Sequence, residues 1–136
     1  MMVLALVVFQ PVYADEIIDD ANCMQHLGGG GFGDFDCYEH HAKSLGADSK
    51  KVAAAIKATH GITGANRAKL AQYMTAQDQV AKACDLSNKL AFDWNIESSP
   101  KTHVDLYDVI GARCQYSLRK QQNDFLHDLY SIKTGN

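Results

Sequence analysis

Four cysteines constrain the fold of this 136-residue chain more than any other feature: Cys23, Cys37, Cys84 and Cys114. All four follow an uncharged apolar segment at the N-terminus, which is the order expected of an exported protein that acquires disulfides outside the cytoplasm. An even number of cysteines in a small exported chain predicts two disulfides. Four cysteines allow three pairings, and their number alone does not choose among them.

The N-terminal segment predicts export. Residues 1–9, MMVLALVVF, carry no charge and are almost all aliphatic. This run is too short to cross a bilayer, which needs about 20 apolar residues, but it suits the core of a signal peptide. Val12 and Ala14 occupy the small-residue positions that a signal peptidase prefers, so we expect residues 1–14 to be a signal peptide. A buried N-terminal strand is the alternative. Residues 15–136 would then form one periplasmic or secreted domain that is not inserted in the membrane after the signal is removed.

The charge balance disfavours nucleic acid as a partner. Thirteen Lys and Arg residues against sixteen Asp and Glu residues give a formal net charge of −3 at pH 7. Such a chain has no electrostatic attraction for nucleic acid or for an anionic membrane surface, whereas a basic protein would suit it. We therefore expect no nucleic-acid partner, and a basic partner rather than an acidic one.

Apolar residues recur at helical spacing in three long segments, at about residues 34–60, 65–94 and 104–132. The predicted apolar face of the first segment contains Tyr38, Ala42, Leu45, Val52 and Ile56. The predicted face of the second segment contains Leu70, Met74, Gln77, Ala81, Cys84, Asn88 and Ala91, with Tyr73, Val80 and Leu90 beside it. The predicted face of the third segment contains Tyr107, Ile110, Cys114, Leu118, Phe125, Leu129 and Ile132. No alternating pattern typical of a strand competes after residue 14. The sequence therefore predicts an all-α domain, an antiparallel bundle of about three long helices, with a glycine-rich lead-in at residues 28–33.

Residues at the ends of the segments predict the helix boundaries. Thr63 is expected to cap the second helix. Gly46 predicts a kink or a break within the first helix, and Gly61 its C-terminal stop. Asp105 and Asp108 lie near the start of the third helix, where the helix dipole favours acids.

An antiparallel bundle also suggests which cysteines meet. Cys84 lies midway along the second segment and Cys114 in the first half of the third, so two antiparallel helices joined by residues 95–103 would bring them together. Cys23 and Cys37 flank the glycine run. We therefore expect Cys23–Cys37 and Cys84–Cys114, which in the chain-entropy model contribute roughly 3 and roughly 3.5 kcal/mol.

The stretch LGGGGFGDFDCYEHH, residues 27–41, raises the question of a phosphate, metal or catalytic site. A phosphate-binding loop follows a buried strand and usually carries a lysine, but no strand precedes this run and the next lysine is Lys43. Cys37, His40 and His41 are zinc-ligand types, yet adjacent histidines point about 100° apart on a helix and no second ligand pair accompanies them. No Gly-x-Ser-x-Gly motif marks a nucleophile. We expect no catalytic residue, no metal and no cofactor, hence not an enzyme; a hydrolase or metal carrier built on CYEHH is the alternative.

The order of these features resembles the LprI-type family of small exported bacterial proteins, named for a lysozyme-inhibitor lipoprotein. The resemblance rests on Cys23 and on three stretches that each carry one further cysteine: DFDCYEHHAKSLGAD, LAQYMTAQDQVAKACDL and DVIGARCQYSLRKQQNDFLHDLY. It covers nearly the whole chain after residue 14. It implies a periplasmic protein that binds and inhibits a lysozyme-like peptidoglycan hydrolase. An immunity protein that neutralises a periplasm-targeted toxin, such as a secreted peptidoglycan amidase, is the alternative.

Both functions call for a protruding element that fills an enzyme cleft, and the glycine run offers one. A loop tethered by a disulfide and carrying aromatic anchors would act as a plug. The residues of this predicted partner-binding site are Gly30, Gly31, Phe32, Asp34 and Phe35. Alternatively, the lead-in is a plain connection whose two phenylalanines pack onto the helical core.

Overall fold

The described part of the chain is helical apart from its connections. The computed structural model describes Cys23, residues 31–94 and residues 104–134; the predicted signal peptide and residues 28–30 lie outside these ranges. The helices are α1 (Gly31–Lys57), α2 (Gly64–Lys82), α3 (Leu86–Asp93) and α4 (Leu106–Thr134). A 3-10 turn at Ala83–Asp85 joins α2 to α3, so these two helices form the second predicted segment. No strand occurs among the described residues, and the predicted all-α bundle is confirmed.

Helix α1 is continuous over 27 residues and starts earlier than expected. It begins at Gly31, inside the glycine-rich lead-in, and passes through Gly46 without a break. Gly61 has φ 88°, a left-handed conformation that glycine adopts without steric cost, so the chain reverses there. Thr63 then caps α2 as predicted, since its hydroxyl accepts a hydrogen bond from the backbone N–H of Asn66 at 3.2 Å.

Two aspartates that bond reciprocally open α4. The Asp105 carboxylate accepts hydrogen bonds from the backbone N–H groups of Tyr107 at 2.9 Å and Asp108 at 3.1 Å. In return, the Asp108 carboxylate accepts from the backbone N–H of Asp105 at 3.0 Å. This capping box satisfies donors that the first turn leaves without helical partners, and it places negative charge at the positive end of the helix dipole.

Two apolar clusters hold the bundle together. The first cluster lies near the start of α1 and comprises Cys23, Tyr38, Ala42, Val109, Ala112 and Tyr116. The second cluster lies near the end of α1 and comprises Ala53, Leu70 and Leu126, with Val52, Ile56, Tyr73 and Met74 packed against it. Helix α1 therefore packs on α4 along most of its length, while α2 covers the second cluster.

The buried face of α4 differs from the predicted one. Helical spacing in the sequence predicts Ile110, Phe125 and Ile132 in the core, but all three are exposed. The residues of α4 that are buried instead include Val109, Ala112, Tyr116, Gln122, Asn123 and Leu126. Gln122 and Asn123 are polar, so the hydropathy pattern does not show the buried face as a continuous apolar stripe. The exposed apolar residues have helical spacing and are therefore mistaken for the core face.

Both predicted disulfides are present. Cys23–Cys37 joins Cα atoms 5.5 Å apart, and Cys84–Cys114 joins Cα atoms 5.7 Å apart. All four cysteines are thus paired. Two disulfides in a chain of this size indicate an oxidising, extracytoplasmic environment. None of the described helices combines the length and the apolarity that crossing a membrane requires.

Candidate functional site

The predicted partner-binding site lies at the start of α1. Gly30 lies outside the described residues, Gly31 is the first residue of α1, and the side chain of Phe32 is not among the described ones. Asp34 and Phe35 are half-buried, and Phe35 packs against the first core cluster. This contact of Phe35 is the one expected if its ring belongs to the helical core.

Phe35 also brings the start of α1 to the second disulfide. It lines a shallow pocket of about 130 Å³ together with Cys84, Asn88 and Gly111. The two disulfides therefore lie at the same end of the bundle, which we call the disulfide end. The opposite end, where residues 58–63 connect α1 to α2, is called the loop end.

Among the described residues, one group offers ligand atoms close enough to surround a metal. The ligand atoms of Cys23, Cys37 and His41 lie within 4.8 Å of one another, and Cys37 and His41 are one turn apart on α1. The two sulfur atoms are joined to each other, however, and a disulfide is not the thiolate that zinc binds. The His41 ring lies edge-on to the Tyr116 ring, with centroids 6.0 Å apart. In the oxidised protein this group therefore contributes an imidazole alone.

Helices α3 and α4 form an antiparallel hairpin whose register is fixed by specific contacts. The Ser87 hydroxyl donates a hydrogen bond to the backbone carbonyl of Tyr107 at 2.8 Å. The Asn88 side-chain amide donates to the Asp108 carboxylate at 3.0 Å. Together with the Cys84–Cys114 disulfide, these contacts hold the hairpin as a rigid unit.

Gly111 allows the two helices of the hairpin to approach each other closely. A Cβ atom at this position would lie 3.1 Å from the Cys84 carbonyl oxygen and 3.1 Å from the Ser87 hydroxyl. Real Cβ contacts are rarely this short, so any larger residue would push α3 away from α4 beside the disulfide.

One side of the hairpin presents apolar side chains to solvent. Helix α3 and its C-cap contribute Leu90 and Trp94, and α4 contributes Leu106 and Ile110. All four are exposed, Trp94 by 64% and Leu106 by 69%. Residues four apart lie on the same side of a helix, so each pair forms a short stripe. We call these four residues the hairpin face.

The two stripes lie on the same side of the hairpin, as the polar contacts between its helices show. The bond between Asn88 and Asp108 marks one side, and Leu90 and Ile110 each follow one of these residues by two positions. A helix turns about 100° per residue, so two positions carry a side chain round to the other side. Phe92 follows Asn88 by one turn and therefore lies on the polar side, although it is 80% exposed.

The hairpin face differs from the faces that the sequence pattern predicts. Helical spacing puts Leu90 beside one core stripe and Ile110 within another, and both are exposed. The signal that could have found the face is the spacing of four within each pair, on either side of residues 95–103. Spacing alone, however, does not tell which of two apolar stripes on a helix is covered by a neighbouring element.

Between the two core clusters, α4 binds α1 through polar side chains. The Asn123 amide donates hydrogen bonds to the Asp48 carboxylate at 2.9 Å and to the Ser49 hydroxyl at 3.2 Å. The His127 imidazole lies 2.6 Å from the same carboxylate oxygen. The hydrogen bonds from Asn123 and then from His127 hold the pKa of Asp48 below its usual range.

A second set of polar contacts joins α4 to α2. The Arg119 guanidinium pairs with the Asp78 carboxylate at 2.8 Å and donates to the Gln122 side-chain carbonyl at 2.9 Å. The Gln122 amide nitrogen lies 3.3 Å from the Met74 sulfur. Both buried amides of α4 are therefore hydrogen-bonded, which assigns Gln122 and Asn123 a structural role.

The hairpin face at the disulfide end is an exposed apolar surface on a braced hairpin. The hairpin face combines aromatic and aliphatic side chains of the kind that anchor protein interfaces. The disulfide and the two hydrogen bonds across the hairpin limit the conformational entropy that would be lost on binding. The chain matches no protein-family model, no curated protein sequence and no solved structure, so its resemblance to the LprI-type family stays a prediction.

Proposed function

We propose that this protein is a periplasmic inhibitor that binds a lysozyme-like peptidoglycan hydrolase through its hairpin face. The observation that carries the proposal is the exposure of Trp94 and Leu106 on one side of a disulfide-braced hairpin. The two disulfides support an extracytoplasmic site of action, where peptidoglycan hydrolases work. The net charge of −3 suits a basic enzyme as the partner.

Trp94 alone offers enough apolar surface to dominate such an interface. A tryptophan side chain buries about 150–250 Å², which corresponds to about 4–6 kcal/mol at 25 cal/mol per Å². Because Trp94 is 64% exposed in the free protein, roughly two-thirds of this, about 2.5–4 kcal/mol, is available for binding. This magnitude is that of an interface hot spot, and it corresponds to roughly 50-fold to 1000-fold in affinity.

The test compares three variants in a peptidoglycan-lysis assay. The protein is titrated against a lysozyme-like muramidase, and the inhibition constant is taken from the rate of turbidity loss. Trp94→Ala and Leu106→Ala are each expected to weaken inhibition tenfold or more, because each removes an anchor of the hairpin face. Phe92→Ala is the matched control, an exposed aromatic residue on the polar side of α3, and should leave inhibition within about twofold.

The outcomes distinguish an error in the proposed binding surface from an error in the proposed target enzyme. The melting temperatures of the three variants should match that of the wild type, since all three side chains are exposed. Equal losses of inhibition for Phe92→Ala and Trp94→Ala would show that the hairpin face is not the contact. Inhibition of a peptidoglycan amidase through the same face, without inhibition of a muramidase, would instead assign the immunity function. Failure to inhibit either enzyme class would contradict both.

The contribution of the glycine-rich lead-in is tested separately. Phe35→Ala removes a half-buried ring from the first core cluster, so we expect the free energy of unfolding to fall by about 2 kcal/mol. Phe32→Ala addresses the plug directly. A tenfold loss of inhibition at an unchanged melting temperature would establish a plug at Phe32, and unchanged inhibition would exclude one.

A further inference from the structure

A second candidate site lies at the loop end of the bundle, away from the hairpin face. Here α1 ends, the chain reverses at Gly61, α2 begins, and the second half of α4 packs against both helices. An open groove of about 590 Å³ lies between these elements. Its volume falls within the range of roughly 300–1000 Å³ that is typical of small-molecule sites.

The lining of the groove is mostly apolar. Ile56, Leu70, Tyr73, Phe125 and Leu129 provide its hydrocarbon and aromatic surface. The rings of Tyr73 and Phe125 meet edge to face with centroids 5.3 Å apart, which fixes the shape of one wall. Such a surface suits an alkyl chain, because each methylene group transferred from water to it is stabilised.

The groove also carries a positive charge. Lys69 is the single charged side chain among the described residues that line it, and no described residue forms an ion pair with it. Between Asp48 and Asp78 the sequence has five Lys and Arg residues and no Asp or Glu. The α1 and α2 side of the loop end is therefore locally basic, whereas α4 contributes Asp124 and Asp128, next in sequence to Phe125 and Leu129.

We infer that this groove binds a monomeric long-chain carboxylate, such as a saturated fatty acid. Its alkyl chain lies along the apolar lining, and its carboxylate pairs with the Lys69 ammonium. The two halves of the ligand contribute unequally: the alkyl chain covers the apolar lining, and the carboxylate adds one exposed charge pair with Lys69. The site goes beyond the proposed inhibitor function, because it is formed by α1, α2 and the second half of α4 and shares no residue with the hairpin face.

The alkyl half is tested by chain length. The full oxidised chain is titrated by calorimetry with octanoate, decanoate and dodecanoate, each below its critical micelle concentration. Every two added methylene groups should tighten the dissociation constant roughly fifteenfold, since a buried methylene contributes about fourfold. Dodecan-1-ol has the same chain without the charge, and it should bind about twofold to fivefold more weakly than dodecanoate, as expected for the loss of one exposed charge pair.

Two pairs of variants test the position of the ligand. Leu129→Glu places a carboxylate in the groove and should weaken dodecanoate binding about tenfold or more, whereas Ile132→Glu, on α4 but outside the groove, should bind as the wild type does. Lys69→Gln should weaken dodecanoate binding about twofold to fivefold and leave dodecan-1-ol binding unchanged. Lys51→Gln removes an exposed charge of α1 that does not line the groove, and it should change neither affinity.

Several outcomes would overturn the proposal. If the wild type binds dodecanoate and dodecan-1-ol with equal affinity, the carboxylate is not recognised. If Leu129→Glu binds dodecanoate as tightly as the wild type does, the groove is not the binding site. Binding to vesicles of anionic phospholipid without binding of the monomeric carboxylates would assign the loop end to a membrane surface instead. Muramidase inhibition by Leu129→Glu should stay at the wild-type level, so that a failure here is distinct from a failure of the proposed function.

Discussion

Two glycines within helices lead to opposite predictions for the same substitution. Gly46 lies in α1 and Gly111 in α4, and both are surrounded by helical residues. Replacing such a glycine by alanine stabilises a helix by about 0.8–1 kcal/mol when the new methyl group has room. The sign of the effect therefore depends on what the added Cβ atom meets.

At Gly46 the added methyl group has room. Its nearest neighbours would be Nε and Cδ of Arg119, at 3.7 and 3.8 Å, which is ordinary van der Waals contact with a long side chain. We therefore expect Gly46→Ala to raise the free energy of unfolding by about 1 kcal/mol. For a domain of this size, the melting temperature should rise by about 3–6 °C.

At Gly111 the neighbours are held in place. The added Cβ would lie 3.1 Å from the Cys84 carbonyl oxygen and from the Ser87 hydroxyl. Cys84 is fixed by its disulfide, and Ser87 by its hydrogen bond to Tyr107. Forcing a methyl group into a packed contact costs about 1–3 kcal/mol, which exceeds the helix-propensity gain. Gly111→Ala should therefore lower the free energy of unfolding by about 1 kcal/mol.

Urea unfolding followed by circular dichroism under oxidising conditions gives both values, and each variant serves as the control for the other. A Gly111→Ala protein as stable as Gly46→Ala would refute the close approach of α3 and α4. A double-mutant cycle with Cys84→Ser and Cys114→Ser sharpens the test. Once the disulfide no longer holds α3, the penalty at position 111 should shrink, giving a coupling energy of about 0.5 kcal/mol or more.

Three further predictions concern the disulfides, the pH dependence and export. Replacing Cys84 and Cys114 together by serine should lower the free energy of unfolding by about 3.5 kcal/mol, because the bond spans a sequence separation of 30; calorimetry showing an unchanged melting temperature would contradict this. The pKa of Asp48 is lowered on folding by its hydrogen-bond donors, so its stabilisation is fully present above the unfolded pKa of about 4 and is lost as the pH falls through the folded pKa. Asp48→Asn should therefore flatten the acid limb of the stability profile, and an acid limb like that of the wild type would argue against this linkage. Mass spectrometry of periplasmic protein should show Asp15 as the first residue and no free thiol; an intact N-terminus or four free thiols would contradict export with disulfides.

The helices and the disulfides are predictable from the sequence because they depend on interactions between near neighbours. Helical spacing, the Thr63 cap and the left-handed Gly61 are local properties of the chain. The pairing of Cys84 with Cys114 requires only that two consecutive helices run antiparallel. Each of these features can be read without knowing what lies on the far side of a helix.

The packed faces depend on partners that are distant in sequence, and here the prediction was wrong in part. Gln122 and Asn123 are buried because α2 and α1 supply hydrogen-bond partners 48 and 75 residues away. Phe125 is exposed because the groove at the loop end opens beside it. Gly31 belongs to α1 in spite of its poor helix propensity. The hairpin face and the groove both follow from such nonlocal packing.

The buried amides of Gln122 and Asn123 give α4 a single allowed register against its neighbours. If α4 slid by one helical turn, about 5.4 Å, both amides would lose their partners on α1 and α2 while remaining inside the bundle. The Gln122 carbonyl would keep its bond from Arg119 within α4, but both amide nitrogens would lack acceptors. Each such group costs about 1–3 kcal/mol, so the slipped bundle would be disfavoured by roughly 2–6 kcal/mol, a large part of the total stability of a small domain. A leucine at both positions would add apolar contacts but would fit the slipped arrangement nearly as well as the native one. These two amides therefore specify the register of α4, and they disfavour misassembled bundles more than they stabilise the native one.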